Sequence, residues 1–254
     1  MNSESKSDKA DYLLYEKTAK TYDRQRFTGR AGEWGHNRQI SILQSLAQDW
    51  QDKKVLEIGC GTGRITEVLA RWGADVTATD ISEEMLKVAQ TRFSSDRELP
   101  MPKFRVMSVF DIDMDLQGYD YVIMVNVLGR LSHAREAIRK ISLNISKTCR
   151  FVFTFPSLTS ILLPFGLTVN LRGKSLASDV TSHWYTPKTI EKYCNDAGLV
   201  IVGWRGNHYV PVPRLLFPTL PLFWICDKCL AKSFPKKCPS VFVVSRLWSA
   251  DRPG

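Results

Sequence analysis

The segment Val55-Leu-Glu-Ile-Gly-Cys-Gly-Thr-Gly-Arg64 constrains this chain more than any other stretch. Four residues suited to a buried strand (Val55–Ile58) run straight into three glycines at alternate positions, Gly59, Gly61 and Gly63. A helical pattern follows at once, with Ile65, Val68, Leu69 and Trp72 at i, i+3, i+4 and i+7. Glycine permits backbone angles that a Cβ forbids and lets a ligand approach the main chain. A strand, a glycine turn and a helix in direct succession therefore describe a ligand-binding βα unit. The spacing narrows the ligand. Dinucleotide sites use Gly-x-Gly-x-x-Gly, and phosphate loops carry a lysine. The turn here is one residue tighter and has no such lysine, so a diphosphate is not the expected guest.

The rest of the chain repeats the βα rhythm. Strands are expected at 76–79, 104–107, 119–125, 151–155, 199–204 and 241–247. Helices are expected after Ser82 (inner face Met85, Val88, Ala89, Phe93), over 134–145, and after Thr186-Pro187. Gly73 and Gly198 are placed to stop two of them. The predicted fold class is α/β: one doubly wound domain over residues 1–254 with a seven-stranded, mostly parallel sheet. Residues 1–11 are polar and expected to lack structure. Two stretches, 156–185 and 206–240, break the alternation and read as covers or lids.

Asp80 closes the second strand, 17 residues beyond Gly63, where an acid can accept both hydroxyls of a ribose. Glycine turn and acid together describe a nucleoside site at the carboxyl edge of the sheet.

These residues, with the strands around them, resemble the class I S-adenosylmethionine-dependent methyltransferases. The likeness is nearest to the ubiquinone-biosynthesis O-methyltransferase group, on three further features: Arg38 ahead of the first strand, the Thr-Pro helix start, and Gly206-Asn-His-Tyr209. The last strand of that fold runs antiparallel. The resemblance implies S-adenosyl-L-methionine as cofactor and assigns roles. Glu57 orients the loop and serves the amino group. Gly59, Cys60 and Gly61 line the methionine and ribose portions, Gly63 is counted with them as cofactor-binding, and Asp80 takes the ribose hydroxyls. Ile81 lies against the adenine and Asp111 meets its amino group, and Met85 and Phe110 also bind the cofactor. Asn126 and Val127 touch the methionyl end. Tyr22 and Arg26 close over the cofactor, and Arg38 binds its carboxylate. The chain departs from the family after strand four, where Asn126-Val-Leu-Gly-Arg130 stands in place of an acid–histidine pair. No metal is assigned, and Cys226, Cys229 and Cys238 provide three local sulfurs where a structural zinc takes four ligands.

The sulfonium methyl is already activated, so positioning is the main task, and an oxygen acceptor also needs a base. Of His36, His133, His183 and His208, the candidates are His183 and His208, which follow strands five and six. The acceptor is expected to be small and apolar or aromatic, with O-methylation favoured. N-methylation of a small molecule, RNA methylation and a non-catalytic cofactor-binding protein are the alternatives, and no DNA partner is expected. Residues 1–130 carry 18 basic and 20 acidic side chains, whereas residues 131–254 carry 17 and 6. Residues 158–171 and 215–226 carry no charge, and four lysines follow the second stretch. That pairing suits contact with an anionic membrane surface, and a lid or a homodimer contact is the rival reading. No run of about 18 uncharged apolar residues exists. With six scattered cysteines and no leader, the expected location is cytoplasmic, peripheral on the inner membrane face.

Overall fold

In a computed structural model, the chain is described at residues 6–27, 30–47, 49–96, 98–159, 183–207 and 228–248. Seven strands form one sheet: β1 (Lys54–Ile58), β2 (Asp75–Asp80), β3 (Lys103–Val106), β4 (Tyr121–Met124), β5 (Arg150–Pro156), β6 (Leu199–Gly206) and β7 (Ser240–Leu247). Their order is β3-β2-β1-β4-β5-β7-β6. β1 through β5 pair in parallel, and β7 runs antiparallel between β5 and β6. The strand order reverses between β1 and β4, and at such a switch point the carboxyl edge opens into a crevice.

The β1 sequence explains why it sits in the middle. Leu56 and Ile58 face one apolar layer, and Val55 faces the other. The first layer also holds Ile138 and Ile141 of α5 (Ala134–Asn144) and Ile190 and Cys194 of α6 (Pro187–Asp196). On the second face lie Ile42 and Leu43 of α2 (Arg30–Gln44), Leu69 of α3 (Arg64–Arg71) and Leu86 of α4 (Glu83–Ser94). A strand covered on both sides needs no polar alternation, which is why β4 is buried at all four positions.

The expected helix signals operate as read. The Ser82 hydroxyl accepts from the Met85 N–H at 3.1 Å, and the Thr186 hydroxyl accepts from the Thr189 N–H at 3.1 Å. Two differences stand out. Residues 6–11, expected to lack structure, belong to a helix, α1 (Lys6–Arg26). α1 packs on α4. The second cover is also partly regular, being helical at 228–233. The centres of both covers, residues 160–182 and 208–227, lie outside the described residues.

Candidate active site

A cavity opens above the carboxyl ends of β1, β2 and β4. Its floor is the glycine turn. Gly59 and Cys60 both donate their N–H groups to the Thr79 carbonyl, at 2.8 and 2.9 Å, which ties the turn to the neighbouring strand. Gly59 has φ +72° and Gly61 has φ +55°. A Cβ on Gly61 would meet nothing within 4 Å, so this glycine leaves room for a guest.

Asp80 holds the turn from the other side. One carboxylate oxygen accepts from the Gly61 N–H at 2.8 Å and the other from the Ser82 N–H at 2.9 Å. Burial pushes its pKa up, and the donors from Ser82, Gly61 and Ile81 act against that rise. The result is a rigid carboxylate at the cavity edge, suited to a pair of ribose hydroxyls.

Glu57 lies deeper and is almost fully buried. The Thr66 hydroxyl donates to it at 2.6 Å. Burial raises its pKa to about 7, the Thr66 bond works the other way, and the charge of Asp80 adds to the rise. The sign of the pH effect follows. Between about 4.5 and about 7 the folded chain keeps a proton that the unfolded chain has released. Stability from this group is therefore full below that window and is lost as pH rises through it. Glu57→Gln is expected to remove this component. Thermal melts from pH 5 to 8 check it: the variant should lose less stability with rising pH than the parent, and parallel profiles would contradict the assignment.

The wall opposite the sheet comes from α1 and α2, neither of which the sequence signals revealed. Tyr12, Tyr15, Tyr22 and Phe27 line it, with His36 and Gln39. Tyr22 makes edge contacts with both Tyr15 and Phe27. A polar latch joins α1 to the glycine turn: the Thr62 hydroxyl donates to Asp23 at 2.6 Å, and Arg92 of α4 pairs with the same carboxylate. Arg92 also donates to the Thr62 carbonyl at 2.9 Å and to Glu67 at 3.0 Å.

Of the residues singled out in sequence, Tyr22, Glu57, Gly59, Cys60, Gly61, Asp80, Ile81, Met85, Phe110, Asn126 and Val127 line this cavity. Asn126 does so with a left-handed backbone, φ +62°, and its N–H donates to the Thr154 hydroxyl at 2.7 Å. Others lie elsewhere. Gly63 caps α3, and its missing side chain admits α4, since a Cβ would fall 3.0 Å from the Ala89 Cβ. Arg38 is outside the lining and donates from Nε to the Asn207 carbonyl at 2.8 Å. Asp111 is exposed in a turn whose N–H bonds the Ser108 carbonyl. His183 is also outside the lining, and its backbone N–H is bound to the Gly129 carbonyl at 2.8 Å. The Arg26 side chain and His208 lie outside the described residues. His36, Arg64 and Arg130 line the cavity although no sequence signal placed them there.

Comparison with known proteins agrees with this geometry. Residues 55–146 match a family model described as "Methyltransferase domain". A ubiquinone biosynthesis O-methyltransferase of Bordetella avium is 27% identical over 182 residues, covering 69% of this chain and 74% of that protein. A magnesium-protoporphyrin O-methyltransferase of Rhodobacter capsulatus is 31% identical over 163 residues, 62% of this chain and 67% of that protein. Among solved structures, the magnesium protoporphyrin IX methyltransferase of Synechocystis PCC 6803 with bound SAH has a TM-score of 0.69 at 18% identity. It covers 96% of this chain and 100% of its own.

Proposed function

This chain belongs to the class I S-adenosylmethionine-dependent methyltransferases, and from that membership we propose that it methylates an oxygen of a small, apolar or aromatic acceptor. The observation that carries the reading is the aromatic wall of α1 and its following turn (Tyr12, Tyr15, Tyr22 and Phe27), set opposite a polar, acid-bearing floor. Such a cleft has one side for a nucleoside and one for a flat, greasy guest. The relatives named as O-methyltransferases support the choice of oxygen.

The cofactor's parts fit the cavity. Asp80 would take the ribose hydroxyls, with Ile81, Met85 and Phe110 about the adenine. Glu57 would face the ammonium group, and Gly61 leaves the space. When bound, S-adenosylmethionine supplies a methyl group on a cationic sulfur, open to in-line displacement by an acceptor oxygen that loses its proton. The chain's own contribution is to position the partners and to exclude water behind α1. His36 is the histidine that reaches the cavity among the described residues, and it is neutral at physiological pH. Burial, together with the charges of Arg64 and Arg92, lowers its pKa to about 4. It can accept a hydrogen bond from an acceptor hydroxyl but is a weak base. His183 lies outside the cavity lining, with a buried Nε2 that has no hydrogen-bond partner among the described residues.

The acceptor is proposed to be drawn from an anionic membrane surface. Leu158, Trp184 and Phe234, in the described parts of the two covers, are exposed. The described parts of the covers are joined where the Thr159 hydroxyl donates to the Lys236 carbonyl at 2.7 Å. No helix among the described residues is long and apolar enough to cross a membrane, so contact would be peripheral. The test uses methyl-labelled S-adenosylmethionine with apolar phenols offered free or in anionic vesicles, and with RNA. Label is expected on the phenol oxygen, faster with vesicles, and not on RNA. Label on RNA alone would overturn the reading.

A further inference from the structure

Arg64 is the first residue of α3, directly behind the glycine turn, and lines the cavity. Its Cζ lies 3.8 Å from the centroid of the Phe27 ring. Its Nε is buried and has no hydrogen-bond partner. A buried donor left unbonded costs about 1–3 kcal/mol, more when it is charged, and a ligand that bonds it removes that cost. Among the described residues, no carboxylate lies within ion-pair distance of this guanidinium.

The neighbouring cations are accounted for differently. Arg92 spends its guanidinium on Asp23, Glu67 and the Thr62 carbonyl. His36 is neutral, in part because Arg64 itself stands close by. Arg38, which the family resemblance assigned to a carboxylate, is bound to the Asn207 carbonyl outside the cavity.

Topology says what would arrive. With the ribose at Asp80 on β2 and the adenine toward the β3 side, a methionyl arm runs the other way, across the end of β1. That is where α3 begins. The arm ends in an ammonium and a carboxylate, and Glu57 is available for the first. A guanidinium held over an aromatic ring is restrained in position, and it can present paired donors to a carboxylate as a lysine cannot.

We propose that Arg64 binds the methionyl carboxylate of S-adenosylmethionine and so sets the direction in which the cofactor lies. This rests on the cofactor placement above. The probes are S-adenosylmethionine and its decarboxylated form, which keeps the adenosine, sulfonium and amine. Calorimetry on the full chain is expected to show the parent preferring the carboxylated form by about tenfold or more, the scale of one charge-assisted contact. Arg64→Gln should bring the two within about threefold, by weakening the carboxylated ligand and leaving the decarboxylated one near its parental affinity. Arg64→Lys should recover part of the preference, since charge returns without the paired donors. A preference that persists in Arg64→Gln overturns the proposal. So does an equal loss for both ligands, which is what a merely structural residue would give. A parent chain that binds neither ligand would remove the cofactor placement as well.

Discussion

Replacing Asp80 by alanine is expected to weaken S-adenosylmethionine binding by about tenfold to a hundredfold, with a much smaller effect on the stability of the free protein. A charge-assisted hydrogen bond contributes about 1.5–3 kcal/mol, and with water replacing part of what the two hydroxyls lose, a net loss of about 1.4–2.8 kcal/mol is tenfold to a hundredfold. Two effects on stability oppose each other. The variant strands the Gly61 and Ser82 N–H groups, which now bond to the carboxylate at 2.8 and 2.9 Å. It also removes a buried charge whose pKa burial has raised, a cost to the folded state. Binding and folding should therefore separate. Calorimetry gives the first and a thermal melt without ligand gives the second. Unchanged affinity would mean that the ribose does not lie at β2.

Gly59→Ala is expected to damage both. The residue sits at φ +72°, and an added Cβ would lie 2.3 Å from Cγ2 of Val127. The conformational strain alone is worth about 1–3 kcal/mol, and the contact forces Val127 to turn or the β4 loop to shift. A melting temperature lower by about 4–10 °C is expected, with cofactor affinity lost because Gly59 and Val127 both line the cavity. Gly61→Ala is the control: nothing lies near its Cβ, so it should cost less in stability and still obstruct the guest. Equal melting of the parent and Gly59→Ala would show that the turn relaxes more freely than its geometry implies.

The sheet was legible because its strands are short, apolar and punctuated. All seven lie where the apolar runs put them, with shifts of one or two residues at the ends. Ser82, Thr186, Gly73 and Gly198 mark helix ends through local chemistry that operates within four residues, which a linear reading can see. The site's floor was legible for the same reason: Glu57, Gly59, Cys60, Gly61 and Asp80 come from two consecutive strand ends. Its wall was not. α1 buries little apolar side chain; Ala19 is the fully covered one among its described residues. Its tyrosines turn toward the cavity instead, so no apolar stripe betrays the helix. The latch joins Asp23 to Arg92 across 69 residues, and spacing carries no trace of such a pair.

Arg38 and His183 lie outside the cavity lining for a common reason. Arg38 looked like a cofactor ligand because of its distance from the first strand, but that distance says nothing about where α2 directs the side chain. Arg64 closes the glycine motif in the sequence and carried no assigned role there. What distinguishes it is a ring from another part of the chain, Phe27, and a buried donor that only the assembled cavity reveals. His183 followed a strand that ends at the correct edge of the sheet, yet its backbone is bound to Gly129, and it lies outside the cavity lining.

The central claim is that the turn at 59–63 and the carboxylate at 80 together hold the adenosyl sulfonium cofactor. A crystal structure of the chain grown with S-adenosylhomocysteine tests it most directly. The account predicts density across the ends of β2, β1 and β4, with both ribose hydroxyls on Asp80 and the homocysteine carboxylate facing Arg64. An empty crevice at saturating ligand, or a nucleoside bound elsewhere on the chain, would contradict it.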